Sequence, residues 1–197
     1  MGAVFQSLGR TVVAGLVLLV IIVLLVGVLT GNSIHFDHVW GAFFIRWLHI
    51  ASGVMWIGLL WYFNFVQIPT MPKIPDELKP AIGKFIAPQA LFWFRWAAVS
   101  TVIFGLLLAG MNRYIGQALA LSAPFHPIGI GMWLGLIMAA NVWVVIWPNQ
   151  KKALGIVTVE ASEKPKAARI AMLASRLNTM LSVPMLYCMA AQSHGGF

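Results

Sequence analysis

Residues 12–29 read VVAGLVLLVIIVLLVGVL, eighteen positions without a charge or a hydrogen-bonding side chain. About 20 apolar residues carry a helix across bilayer hydrocarbon, and a run this uniform has no polar face to turn toward water. Four more long apolar stretches follow, giving expected spans at about 12 to 30, 40 to 66, 88 to 110, 127 to 147 and 174 to 192. In lipid the unpaired backbone groups of open strands are too costly, and an odd, small set of long spans cannot close a barrel. The expected fold is therefore an all-α integral membrane protein, a bundle of about five transmembrane helices forming one membrane domain over residues 1–197.

Composition agrees. Hydrophobic residues make up 60% of the chain and charged residues 9%, against roughly 25% charged in a soluble domain. The net charge of +8 would fit nucleic acid, but the basic residues sit in loops between spans, so topology accounts for them and no nucleic-acid partner is expected. The single cysteine, Cys188, lies in an apolar segment and reads as a core residue; a CxxCH haem-attachment motif is absent.

Breakers separate the spans: Gly31-Asn32-Ser33, the prolines at 69, 72, 75 and 80, Pro124 and Pro127, and Pro148-Asn149. Pro88 falls in a first helical turn, where its missing N–H is harmless, and Pro184 is expected to kink the fifth span. Arg10, Lys73, Lys79, Lys84, Lys151, Lys152, Lys164, Lys166, Arg169 and Arg176 fall on one side, and only Arg113 on the other. By the positive-inside rule the amino terminus is cytoplasmic and the carboxy terminus periplasmic, as in a multi-pass protein of the bacterial inner membrane. The first apolar run exceeds a signal-peptide core and is expected to remain as a helix. Gly27 with Gly31 and Gly131 with Gly135 fit the small-xxx-small spacing of close helix packing.

This topology places all five histidines in the outer half. His49 is the most informative, because an imidazole inside hydrocarbon must be hydrogen-bonded, ligated or turned to a cavity. Arg46 and Gly53 lie one turn to either side on the same face. Gly53 would leave room for a flat macrocycle, Arg46 could pair with a propionate, and Trp56 continues the face. The competing reading is a neutral His49 bonded to a carbonyl or a serine of a neighbouring helix. Imidazole ligates haem iron, copper or zinc; haem b is preferred because no Cys or carboxylate cluster accompanies it. His194 and His126 are the candidates for a second ligand, and a metal pair would be His49 with His194. A solvated tail histidine and a helix-capping histidine are the ordinary alternatives. His35 and His38 straddle Asp37 at a spacing that fits a surface metal site or simply a polar loop.

A second group collects in the inner half: Asn64, Arg95, Asn141, Asn149, Gln150, Arg176 and Asn178. Singly they read as caps or interfacial residues. Arg95 nevertheless lies about two turns inside its span, where an unpaired guanidinium is expensive. A packed polar cluster, or a pocket for an anionic or quinone-like ligand, would satisfy it. The chain has no phosphate-binding glycine motif, no HExxH and no paired intramembrane acids, so hydrolysis and proton pumping are not expected.

The stretches Arg46-Trp47-Leu48-His49-Ile50-Ala51-Ser52-Gly53, Trp61-Tyr62-Phe63-Asn64-Phe65, Trp93-Phe94-Arg95-Trp96, Asn141-Val142-Trp143-Val144-Val145-Ile146-Trp147-Pro148-Asn149-Gln150-Lys151 and Ala174-Ser175-Arg176-Leu177-Asn178-Thr179, in this order, resemble the urate oxidase N-terminal membrane domain family, the PuuD-like urate hydroxylases. The likeness runs from about residue 40 to 195. It implies a membrane redox module; full-length members join a C-terminal cytochrome c domain, so this chain resembles a short form without it. A more distant likeness to membrane-bound protoporphyrinogen oxidases also implies haem b. Three functions stay open: a b-type haem protein exchanging electrons with a quinone or a periplasmic cytochrome, a non-catalytic accessory subunit of a larger membrane electron-transfer or oxygenase complex, and a urate-oxidising enzyme.

Overall fold

The computed structural model describes residues 2–31 and 34–196; Met1, the expected breaker pair Asn32-Ser33, Phe197 and the Ser193 side chain lie outside the described residues. Among those described the regular structure is all helical, without a strand. The helical runs are α1 (Gly2–Phe5), α2 (Leu8–Thr30), α3 (His38–Lys73), α4 (Lys79–Met111), α5 (Ile115–Leu119), α6 (His126–Ala153) and α7 (Glu163–His194). The chain divides into two compact units, Met1–Gly41 and Ala42–Phe197, with the boundary in the first turn of α3.

In the first unit α2 contains no buried residue. It ends at Gly31, whose φ of 67° is the left-handed conformation that a glycine adopts without strain. Gly31 therefore terminates the helix. Asp37 opens α3: its Oδ1 accepts the Trp40 amide at 2.9 Å, a side-chain cap on an otherwise orphaned donor. The carboxylate between His35 and His38 is thus engaged in capping through one of its oxygens.

The second unit is built around one core. Trp56, Leu60 and Phe63 of α3, Leu91, Phe94 and Ala98 of α4, Met138, Val142 and Ile146 of α6, and Met185 of α7 are buried together. Four helical runs share it. A smaller cluster of Ala109, Ala118, Ile128 and Met132 ties α5 to α4 and α6. Two glycines allow close approaches here: a Cβ on Gly129 would collide with the Ala118 carbonyl oxygen, and one on Gly131 would lie 3.2 Å from the Cβ of buried Cys188. Gly135 has nothing within 4 Å, so only Gly131 of the expected pair packs tightly.

The breaks expected near Pro75 and Pro124 fall between helical runs, but Pro69 and Pro148 do not end theirs. The helix runs on through Pro69, Pro88 and Pro148, and each is preceded by a wide π-turn: Tyr62–Gln67, Ile82–Ile86 and Val142–Ile146. A proline ring collides with the carbonyl four residues back and leaves it without a donor. Those carbonyls, at Phe65, Lys84 and Val144, all fall inside the π-turns, where the looser winding moves them aside. Side-chain amides supply further donors: Asn149 Nδ2 bonds the Val145 carbonyl at 2.8 Å and Asn64 Nδ2 the Leu60 carbonyl at 2.9 Å.

Four of the runs, α2, α3, α4 and α6, are long and apolar enough to cross a membrane. The fifth long run, α7, is not among them, because it carries Arg176, Asn178, Thr179, Ser182 and Gln192. Two of its polar residues, Asn178 and Ser182, are fully buried, while Met180 and Val183 are 62% and 65% exposed.

Candidate functional site

His49 sits on α3 with its ring turned to α4. Its Nδ1 is 2.8 Å from the carbonyl oxygen of Thr101. A carbonyl oxygen can only accept, so Nδ1 carries the hydrogen and donates it, which leaves the lone pair on Nε2. The ring fits because Gly105, one turn farther along α4, has no side chain: a Cβ there would lie 2.8 Å from His49 Cε1. The space expected from Gly53 is taken differently. A Cβ on Gly53 would lie 3.8 Å from the Thr101 methyl, so Gly53 seats α4 and is not a slot for a flat ring. Trp56 is buried in the core, and Arg46 is exposed.

This imidazole fits the requirement for an axial haem ligand: one nitrogen fixed by a backbone acceptor, the other unengaged among the described residues. The candidates for a second ligand are both exposed. His126 is exposed at the start of α6, and His194 is exposed near the end of α7 with its Nδ1 2.9 Å from the Ala190 carbonyl of its own helix. No group of three or more metal-ligating side chains occurs among the described residues.

The inner polar residues form a network between helices. Asn141 Nδ2 on α6 donates to Asn178 Oδ1 on α7 at 2.7 Å and to the Ala174 carbonyl at 2.9 Å. Asn178 Nδ2 donates back to the Met138 carbonyl at 3.0 Å. Asn64 Nδ2 on α3 reaches Ser175 Oγ at 2.8 Å, and Trp61 Nε1 reaches Ser182 Oγ at 3.0 Å. Ser175, Asn178 and Ser182 are spaced three and four apart and therefore line one face of α7. Arg176 does not join them. It is exposed, because two residues before Asn178 is about 200° away around a helix.

Arg95 meets none of these asparagines. Its guanidinium lies over the Trp147 ring, 3.4 Å from the centroid, a cation–π contact between α4 and α6. The residue is 9% exposed, and its Nε and Nη1 are buried without an acceptor. The expected meeting of Arg95, Asn141 and Arg176 is thus replaced by two separate features, an amide network on α7 and a guanidinium stacked on Trp147. Thr101, Gly105, Ser175, Ser182 and Gln67 were not foreseen. The three- and four-residue spacing along α7 and the i, i+3 relation of Asn64 to Gln67 were the legible signals.

The α6 and α7 stretches that build this network lie within residues 111–196, and this segment matches the sequence model of the family described as urate oxidase N-terminal. The matched segment contains Asn141, Trp147, Ser175 and Asn178, but it begins after His49, Arg95 and Thr101. The match therefore bears on the amide network and leaves the histidine slot to be argued from geometry. No curated protein and no solved structure matches the chain.

Proposed function

We propose that this chain is an integral membrane protein, a small b-type haem redox module with His49 as an axial ligand. The reading of a bilayer environment rests on the inside-out sorting of side chains: apolar Val54, Phe65, Val144 and Val183 are exposed while Asn178 and Ser182 are fully buried, the reverse of a water-facing surface. The basic asymmetry then orients it in a bacterial inner membrane, amino terminus inside.

The observation that carries the haem assignment is the 2.8 Å contact of His49 Nδ1 with the Thr101 carbonyl. A haem bound there supplies one-electron chemistry at its iron. The chain's own part is to hold the imidazole: Thr101 fixes its tautomer, Gly105 gives it room, and the surrounding apolar helices exclude water. Electrons would pass to a quinone or to a periplasmic cytochrome.

The test is a reduced-minus-oxidised spectrum of the full chain purified from haem-replete cells. A b-type Soret and alpha band, lost or shifted to a five-coordinate form in His49→Ala, is the expected result. A colourless wild-type chain would overturn the assignment in favour of a non-catalytic subunit of a larger membrane complex. The urate-oxidising reading is favoured by the family match alone, and turnover of urate by the purified chain would be its support.

A further inference from the structure

A cavity of about 170 Å³ opens where the Lys73-side end of α3, the start of α4, the end of α6 and the start of α7 converge, lined among others by Phe63, Gln67, Leu91, Gln150, Met172 and Ser175. Its size is that of one six-membered ring, since a cavity of roughly 150 Å³ accommodates benzene. The walls are apolar, but three amide oxygens at or beside the cavity lack partners. Gln67 Oε1 and Gln150 Oε1 are buried without a hydrogen bond, and so is Oδ1 of Asn64, whose Nδ2 is bound to the lining Ser175. Buried carbonyl oxygens without donors are rare in folded proteins and call for an occupant or an explanation.

We propose that this cavity binds the head ring of a membrane quinone. The proposal rests on the bilayer reading above but not on haem. A primary amide presents an oxygen to a quinol hydroxyl and an N–H to a quinone carbonyl, so Gln67 and Gln150 can hold either redox form. The apolar lining suits the ring, as small-molecule sites combine apolar walls with a few placed polar groups. Arg95 is one turn farther along α4 from Leu91, and with its Nε and Nη1 unpaired it sets a positive field beside the cavity that favours the more negative ring oxygen. All five acidic residues of the chain are Asp37, Asp76, Glu77, Glu160 and Glu163, none of them on the buried stretches of α3, α4, α6 or α7, so no carboxylate competes for that role.

Equilibrium binding of a radiolabelled short-chain benzoquinone to the full chain in lipid nanodiscs tests this, with empty nanodiscs as the partition blank. The expected result is saturable binding of one ring per chain, weakened at least tenfold in the Gln67→Leu/Gln150→Leu double variant. Ala168→Trp, at the exposed rim of the cavity, should abolish binding without disturbing the core. Val144→Trp, on an exposed face, should bind as wild type. Uptake no greater than the blank, or equal affinity in wild type, the double variant and Ala168→Trp, would overturn the proposal while leaving the haem spectrum as a separate question. Release of the chain from membranes by alkaline carbonate would overturn the bilayer reading and this proposal together.

Discussion

Asn141 and Asn178 are joined by a 2.7 Å hydrogen bond, and Asn178 returns its own amide to the Met138 carbonyl one turn back along α6. Each amide therefore fixes the other's helix in both rotation and height. Replacing Asn178 with leucine removes both links and leaves the Asn141 amide with only the Ala174 carbonyl. Interhelical polar contacts in membrane proteins contribute roughly 1–2 kcal/mol, so the Asn178→Leu chain should lose about that much stability in a denaturing-detergent titration. Arg176→Ala, on the exposed side of the same helix, should stay within about 0.5 kcal/mol of wild type. Equal losses in both would show that the network is not what holds α7.

Gly105→Ala should be more damaging than Gly53→Ala. The added methyl at 105 would lie 2.8 Å from His49 Cε1, whereas the one at 53 would meet the Thr101 methyl at an ordinary 3.8 Å. The ring can relieve the clash only by leaving the Thr101 carbonyl. Overpacking of this kind costs about 1–3 kcal/mol; Gly53→Ala should be nearly neutral. Thermal unfolding of the two variants, with the histidine ring followed by nitrogen NMR, checks both the rank and the cause.

Arg95→Met should leave the chain as stable as wild type or slightly more so in the absence of ligand. Methionine keeps most of the stem that packs beside Trp147, loses a cation–π contact worth about 1–2 kcal/mol, and relieves a buried charge whose Nε and Nη1 have no acceptor. Arg95→Ala removes the stem as well and should be destabilising. A clear fall in melting temperature for Arg95→Met would mean that the guanidinium has a counter-ion in the folded protein.

Much of the helical plan was legible because lipid-compatible runs are long and nearly uncharged. The expected span at 12 to 30 is matched by Leu8–Thr30, and that at 127 to 147 lies within His126–Ala153. Helix ends were less legible. Pro69 and Pro148 read as stops, yet a π-turn four residues upstream absorbs each ring, and nothing in a proline's identity announces the turn. The candidate site was legible by residue type and not by direction. Asn141 and Asn178 could be named as inner polar residues from their depth, but whether Arg176 or Asn178 faces the core depends on the rotation of α7, which its even scatter of apolar residues leaves open. His49 could be singled out, while its partner Gly105 could not, because a glycine among many small residues carries no sign of what it faces.

Tyr114, between α4 and α5, gives a pH dependence with a definite sign. Its ring stacks on Phe125, with centroids 5.2 Å apart and planes 17° from parallel, and this burial pushes the phenol above the ordinary tyrosine value of about 10, while the charge of Arg46 draws it part of the way back. In the unfolded chain the phenol ionises at its ordinary value. Above that pH the folded state binds more protons than the unfolded one, so stability falls as pH rises. The contribution is fully present below the ordinary tyrosine value and is lost as pH climbs through the raised one. Tyr114→Phe should remove this part of the alkaline decline. Arg46→Ala should steepen it, because the phenolate loses its neighbouring cation. Ultraviolet titration of wild type against Tyr114→Phe isolates this phenol from the chain's other two tyrosines. A difference titration centred at or below the ordinary tyrosine value would show that Phe125 does not shield the ring.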